Sequence, residues 1–129
     1  MFVESSPAWA ERVAATLPTG GWEITPHDYG TRVGDGLAVV GHSLPAAVTS
    51  RTWDVILVDG PRGVDADDPG RVVPIRAAAK LAKRDGWRMF VHDCDQPLEQ
   101  AAYPHFFDRE PARAYDRTWA YGADHDPPL

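Results

Sequence analysis

Cysteine is almost absent: Cys94 is the only one in 129 residues. No internal disulfide can form, and nothing calls for an oxidising compartment. No apolar run approaches the roughly 20 residues that a membrane helix needs. The opening Met1-Phe2-Val3-Glu4-Ser5-Ser6-Pro7 has neither a basic segment nor a long apolar one, so no secretory signal is visible. Basic charge is short as well. Thirteen Lys and Arg face nineteen Asp and Glu, for a formal net charge of −6. The basic residues are scattered, which excludes the concentrated basic face of a nucleic-acid binder. Internal repeats and low-complexity tracts are missing. What remains fits a soluble, cytoplasmic chain with one core and no membrane segment. The hydrophobic share of 43% is that of an ordinary folded globule. One domain is expected over residues 1–122, with a polar, proline-bearing tail over 123–129 that frays.

Two short apolar runs stop at acidic residues. Trp53-Asp54-Val55-Ile56-Leu57-Val58 ends at Asp59, and Trp87-Arg88-Met89-Phe90-Val91 ends at His92-Asp93-Cys94-Asp95. Between them Val73, Ile75, Ala78, Ala79, Leu81 and Ala82 form a helical stripe that stops at Asp85-Gly86, with Pro74 in the first turn, where its missing N–H costs little. Strand, crossover helix, strand is the pattern of a buried parallel pair. Ligands of such sheets sit beyond the carboxyl ends of the strands.

The remaining elements are read the same way. Met1 to Glu4 resembles the end of a strand. Ser6 and Pro7 start a helix over Ala8 to Leu17, with Trp9, Val13 and Leu17 on its apolar face. Trp22 to Thr25 reads as a short strand stopped by Pro26. His27 to Asp35 is loop, Leu37 to Val40 a weak strand, and Leu44 to Ser50 a short helix or turn. Gln96 to about Phe106 is helical, with Pro104 breaking its last turn. Ala112 to Tyr115 and Thr118 to Tyr121 read as a closing hairpin around Asp116-Arg117.

Chemistry concentrates at the two acidic strand ends. Asp59, Asp93 and Asp95 either converge on a hard divalent cation or cap the turns that follow them. His92 is either a general base or a partly buried histidine; strand alternation puts it on the opposite side from Asp93, so both need not face one site. Cys94 reads as a small core residue, with no activating base evident. Glu4, at a strand end, either accepts hydrogen bonds from a ribose hydroxyl pair or is a solvated carboxylate. Arg62 and Arg71, in glycine-bearing turns, either hold an anionic substrate such as a uronate or are solvated.

At these residues a family resemblance emerges. Trp53 to Gly63 with its Asp59-Gly60-Pro61-Arg62-Gly63 turn, the Asp68-Pro69-Gly70-Arg71 step, Ile75, Ala78-Ala79, and Phe90-Val91-His92-Asp93-Cys94-Asp95 resemble the plant glucuronoxylan 4-O-methyltransferases and the irregular-xylem polysaccharide-biosynthesis proteins. Phe2-Val3-Glu4 and His27-Asp28-Tyr29-Gly30-Thr31 look like that family's second-strand acid and following loop. The resemblance implies an α/β, Rossmann-like, mostly parallel sheet flanked by helices, and an S-adenosylmethionine-dependent methyl transfer to a sugar hydroxyl, with a divalent cation assisting. It implies Glu4 and Asp28 on the cofactor, Asp59, His92 and Asp93 in catalysis, Arg62 and Arg71 on the acceptor, and Asp59, Asp93 and Asp95 around a metal. In the family a first strand and a glycine-rich loop precede these residues. Here Met1 stands where the second strand is ending, so the fold is expected to be truncated at the N-terminus, with its first strand missing.

The implied acceptor is a uronic acid, another glycan or a small molecule. Two other readings compete: a degenerate fold kept for binding or assembly, as a homodimer through the exposed edges, and a metal-dependent hydrolase built on Asp59, His92, Asp93 and Asp95.

Overall fold

The computed structural model describes residues 1–85, 88–107, 111 and 113–121. The expected helix stop at Gly86, the strand starts at Trp87 and Ala112, and the tail over 123–129 lie outside the described residues.

Strand β1 (Phe2–Glu4) pairs in parallel with β2 (Ile24–Pro26), and helix α1 (Pro7–Thr16) connects them. Ser6 caps α1, its hydroxyl accepting from the Trp9 N–H, and Pro7 takes a first-turn position. Trp9 does not face a core as its spacing predicts. It is 54% exposed under the Arg12 guanidinium, since α1 covers only the narrow β1–β2 pair. Pro26 extends β2 rather than stopping it. Proline is tolerated there because β2 is an edge strand.

The second sheet has the order β3-β4-β6-β5. Strands β3 (Val55–Val58) and β4 (Arg88–Val91) are parallel, in register from Val55↔Arg88 to Val58↔Val91. The hairpin of β5 (Arg113–Tyr115) and β6 (Thr118–Tyr121) adds antiparallel to β4. Asp116 takes the left-handed conformation its turn needs, at φ 53°. The expected strand over Leu37 to Val40 does not form. Val33–Asp35 is a short 3-10 turn, and Arg76 donates to the carbonyls of Val39 and His42, which ties this stretch to a helix instead. Between these lies α2 (Ala46–Thr49).

Helix α3 (Val72–Asp85) lies on β3 and β4 and packs against α4 (Pro97–Phe107). Every residue of its expected stripe is buried. Pro104 sits inside α4, which continues past it to Phe107. The aromatic packing of Tyr103 on Phe107, with centroids 4.6 Å apart, and the Tyr103 hydroxyl donating to the Ala120 carbonyl hold that end in place. The core runs through Ile75, Met89, Val91, Tyr103, Phe107 and Tyr121. The architecture is mixed α/β, one parallel and one mixed sheet flanked by helices, compatible with a Rossmann-like fold.

Exposure differs sharply across the large sheet. Met89 is fully buried, whereas Leu57 on the neighbouring strand is 62% exposed. Met89→Ala should cost about 2–5 kcal/mol, and Leu57→Ala about 0.5 kcal/mol or less. Urea unfolding of the two variants, with unchanged slope, checks the contrast.

Candidate active site

The parallel register of β3 and β4 brings the two acidic strand ends side by side. The His92 N–H donates to the Val58 carbonyl, so Asp59 and His92 leave the sheet as neighbours. Pleating then predicts that Asp93 points away from His92, and it does not. The strand ends at Val91, and Asp93 adopts φ 57°, a left-handed conformation that breaks the alternation. Its carboxylate turns back to the same point. His92 Nδ1 lies 2.9 Å from Asp59 Oδ1 and 3.0 Å from Asp93 Oδ1. Neither contact has hydrogen-bond geometry, so this buried nitrogen has close anionic neighbours but no satisfied bond. One atom from each of Asp59, His92 and Asp93 falls within 4.8 Å of the others.

Capping does not consume the aspartates. The Asp93 carbonyl, not its side chain, accepts the Gln96 N–H ahead of α4. The Asp93 carboxylate goes to Arg71, 2.7 Å away, and to Arg117, 3.3 Å away. Asp95, expected among the metal ligands, stands apart: it is half exposed, with Arg117 at 4.0 Å. His92 takes its place in the cluster.

The two arginines behave differently. Arg62 is exposed and pairs with Asp65 and Asp68. The Val64 and Asp65 N–H groups close that loop on Asp68, and hydrogen bonds of this kind hold its carboxyl below the usual range. Arg71 is 6% exposed, and its fork joins Asp93 to Glu99, 3.2 Å away. The structure does not offer the two as a pair of available cations for an anionic substrate.

An apolar cavity of about 530 Å³ opens between β1 and β3. Leu44, Val48, Ile56 and Val58 line it, with Glu4 and Asp59 at the carboxyl ends of the strands that wall it. Glu4 Oε1 accepts from the Ser6 N–H. Tyr29 also reaches the cavity; burial, with help from the Glu4 charge, pushes its phenol up to about 12. Asp28 is exposed and accepts from the Gly30 N–H in a local turn. It is not among the cavity-lining residues. Cys94 is buried, its thiol donating to the Val91 carbonyl, and burial pushes it up to about 12.

Sequence reasoning missed Glu99 and Arg117. Glu99 is fully buried in the first turn of α4. Its only sequence signal is an acid amid an apolar helix. Arg117 is delivered by the hairpin turn, whose carbonyl accepts the Cys94 N–H, a contact that no local pattern announces.

The family model described as IRX15/IRX15L/GXM matches residues 21–115, most of the chain. The chain belongs to this family. Among curated relatives from Arabidopsis thaliana, glucuronoxylan 4-O-methyltransferase 2 is 31% identical over 125 aligned positions, covering 77% of this chain and 42% of that protein. Protein IRX15-LIKE is 45% identical over 74 positions, covering 54% and 23%. Arabinogalactan O-methyltransferase 1 is 33% identical over 90 positions, covering 66% and 30%. The chain thus spans less than half the length of these IRX15/GXM relatives. No solved structure matches it. No helix among the described residues is long and apolar enough to cross a membrane.

Two outcomes follow. Iodoacetamide at pH 8 should leave native Cys94 unmodified and label it fully in urea, as mass spectrometry will read. Burial also raises the Glu99 carboxyl above its ordinary 4.5, against the pull of its own N–H and of Arg71. A raised carboxyl binds its proton more tightly in the folded state. Its contribution to stability is therefore full below the unfolded value and is lost as pH rises through the folded one. Urea unfolding at pH 5 and pH 8 should show the wild type losing stability relative to Glu99→Gln as pH rises.

Proposed function

We propose that the chain is the catalytic part of an S-adenosylmethionine-dependent O-methyltransferase acting on a saccharide hydroxyl. The observation that carries this reading is the convergence of Asp59, His92 and Asp93, with Asp59 also lining an apolar cavity whose opposite strand ends in Glu4. The relatives' names, glucuronoxylan and arabinogalactan O-methyltransferases, support the reaction type and a glycan acceptor.

The residues present fit the cofactor. Glu4 and Asp59 stand at the carboxyl ends of β1 and β3, where ligands of parallel sheets bind. Glu4 keeps Oε2 for a ribose hydroxyl while Oε1 is held by Ser6. When bound, the cofactor supplies a methyl group already activated on sulfur. The chain's part is to align an acceptor oxygen and take its proton. Asp59 and Asp93 flank Nδ1 of His92 and favour the proton there. Nε2 is then left with the lone pair that receives the hydroxyl proton.

The fold reading rests on the same cavity. Strand β1 pairs only with β2, and β3 only with β4, among the described residues. Their other edges face one apolar space, lined by both strands. That is the place for a further parallel strand in a Rossmann-like sheet.

A divalent cation at the cluster is a second reading, favoured by the unsatisfied Nδ1. Asp59, His92 and Asp93 would hold such a cation through one atom each, and it would supply polarisation of the acceptor hydroxyl. A cation held there would take the place of the Nδ1 proton, so the two readings differ at one atom.

The test is methyl transfer by the full-length protein from radiolabelled S-adenosylmethionine to glucuronoxylan, arabinogalactan and free uronic acids, alongside calorimetric titration with the cofactor. His92→Ala and Asp59→Asn should each lower kcat by about 10²–10⁴ while cofactor affinity holds. Loss of transfer in EDTA, restored by Mn²⁺, selects the metal reading. No cofactor heat overturns the proposal. Cofactor binding without transfer to any saccharide overturns the acceptor assignment.

A further inference from the structure

The active-site aspartate is held from behind by charged groups that no substrate reaches. Arg71 is 6% exposed and Glu99 is fully buried. One arm of the Arg71 guanidinium lies 2.7 Å from Asp93 Oδ2, and the other 3.2 Å from Glu99 Oε1. Arg71 Nε and Glu99 Oε2 are buried without partners, so the pair is incompletely satisfied. Burial raises the Glu99 carboxyl, which marks the ionised form as costly to keep. An incompletely satisfied buried ion pair is a poor device for stability, because well-packed apolar side chains serve a core as well or better. Its place therefore calls for another explanation.

We infer that Arg71, braced by the buried Glu99, is a positioning residue that sets the Asp93 carboxylate against His92 and Asp59. The inference rests on the methyltransferase reading only for the chemistry that this alignment serves. Asp93 leaves the pleat at φ 57°, a left-handed conformation open to aspartate, and nothing local then fixes where its carboxylate points. Oδ2 is clamped by Arg71, and this aims Oδ1 at His92 Nδ1, 3.0 Å away. Arg117, from the hairpin turn, reaches Oδ1 from the other side at 3.3 Å.

The two glycine turns of the motif fit this assembly. A Cβ on Gly63 would meet the Gly70 Cα at 3.3 Å, Glu99 Oε1 at 3.4 Å and Arg71 at 3.6 Å. Gly70, at φ 71°, donates its N–H to the Arg62 carbonyl immediately before Arg71 enters α3. Gly63 thus lies against the ion pair, where a side chain would crowd Glu99, whereas a Cβ on Gly70 would meet Val33 and Leu98 instead. A lysine in place of Arg71 is a single ammonium on a flexible stem and cannot span two carboxylates as a planar fork does.

The test reads the His92 ring directly. Long-range ¹H–¹⁵N NMR of the full chain with labelled histidine resolves its five rings. Arg71→Lys should move the His92 signals and leave His27 and His42 in place, with thermal unfolding still cooperative. Glu99→Met should move them in the same sense, and the double variant no further than the larger single change, since both act through one contact. Should Glu99→Met fail to fold, the isosteric Glu99→Gln replaces it. Unmoved His92 signals in folded Arg71→Lys overturn the inference; a shift from Arg71→Lys that no folded Glu99 variant reproduces overturns the bracing. In methyl transfer, Arg71→Lys should lower kcat with the acceptor KM unchanged, whereas a raised KM at constant kcat makes Arg71 an acceptor ligand instead. A wild type that transfers no methyl, with the His92 shifts present, sinks the functional reading and leaves the positioning role standing.

Discussion

The candidate site depends on one backbone register. Val58 opposite Val91, with the His92 N–H on the Val58 carbonyl, makes two strand ends leave the sheet together. Asp59 and His92 are then neighbours without any specific side-chain interaction to bring them there. A shift of one residue would send one of them to the other face. The register is held by burial: Met89 and Val91 are fully enclosed beneath α3, whose valines, isoleucine and small alanines let it lie close on the strands.

Around that register the polar groups form a chain that runs from core to solvent. Glu99 holds Arg71, Arg71 holds Asp93, and Asp93 meets His92 and Asp59 at the rim. Exposure rises along it, from a fully buried carboxylate to an Asp59 side chain that is 60% exposed. The buried members are shielded from water, so their geometry is stiff; the outer members are wet enough to exchange a proton. The apolar cavity begins at Asp59, and Glu4 stands across it at the end of β1. A small molecule lying across these strand ends would meet the polar cluster on one side and a single carboxylate on the other.

Much of this was legible in the residues. The apolar runs ending at Asp59 and Val91, the stripe on α3 and the two-residue break in the closing hairpin are short-range patterns, and each element formed close to its expected bounds. The Leu37 to Val40 strand did not form, because a short apolar run carries no signal of whether a partner edge is within reach. The exposure of Trp9 was equally hidden, since periodicity tells which residues share a face but not what lies opposite.

Within the site, residue types and spacing by themselves determined that acidic groups and a histidine gather where two parallel strands end, because strand polarity and pleat are local properties. Only the tertiary structure decided which of them meet. It turned Asp93 out of the pleat toward His92, left Asp95 aside, buried Arg71 between two carboxylates, and brought in Glu99 and Arg117 from elements 28 and 24 positions away from Arg71 and Asp93. Those choices rest on contacts between distant segments and on the free energy of burying charge, and neither is written in any short stretch of chain.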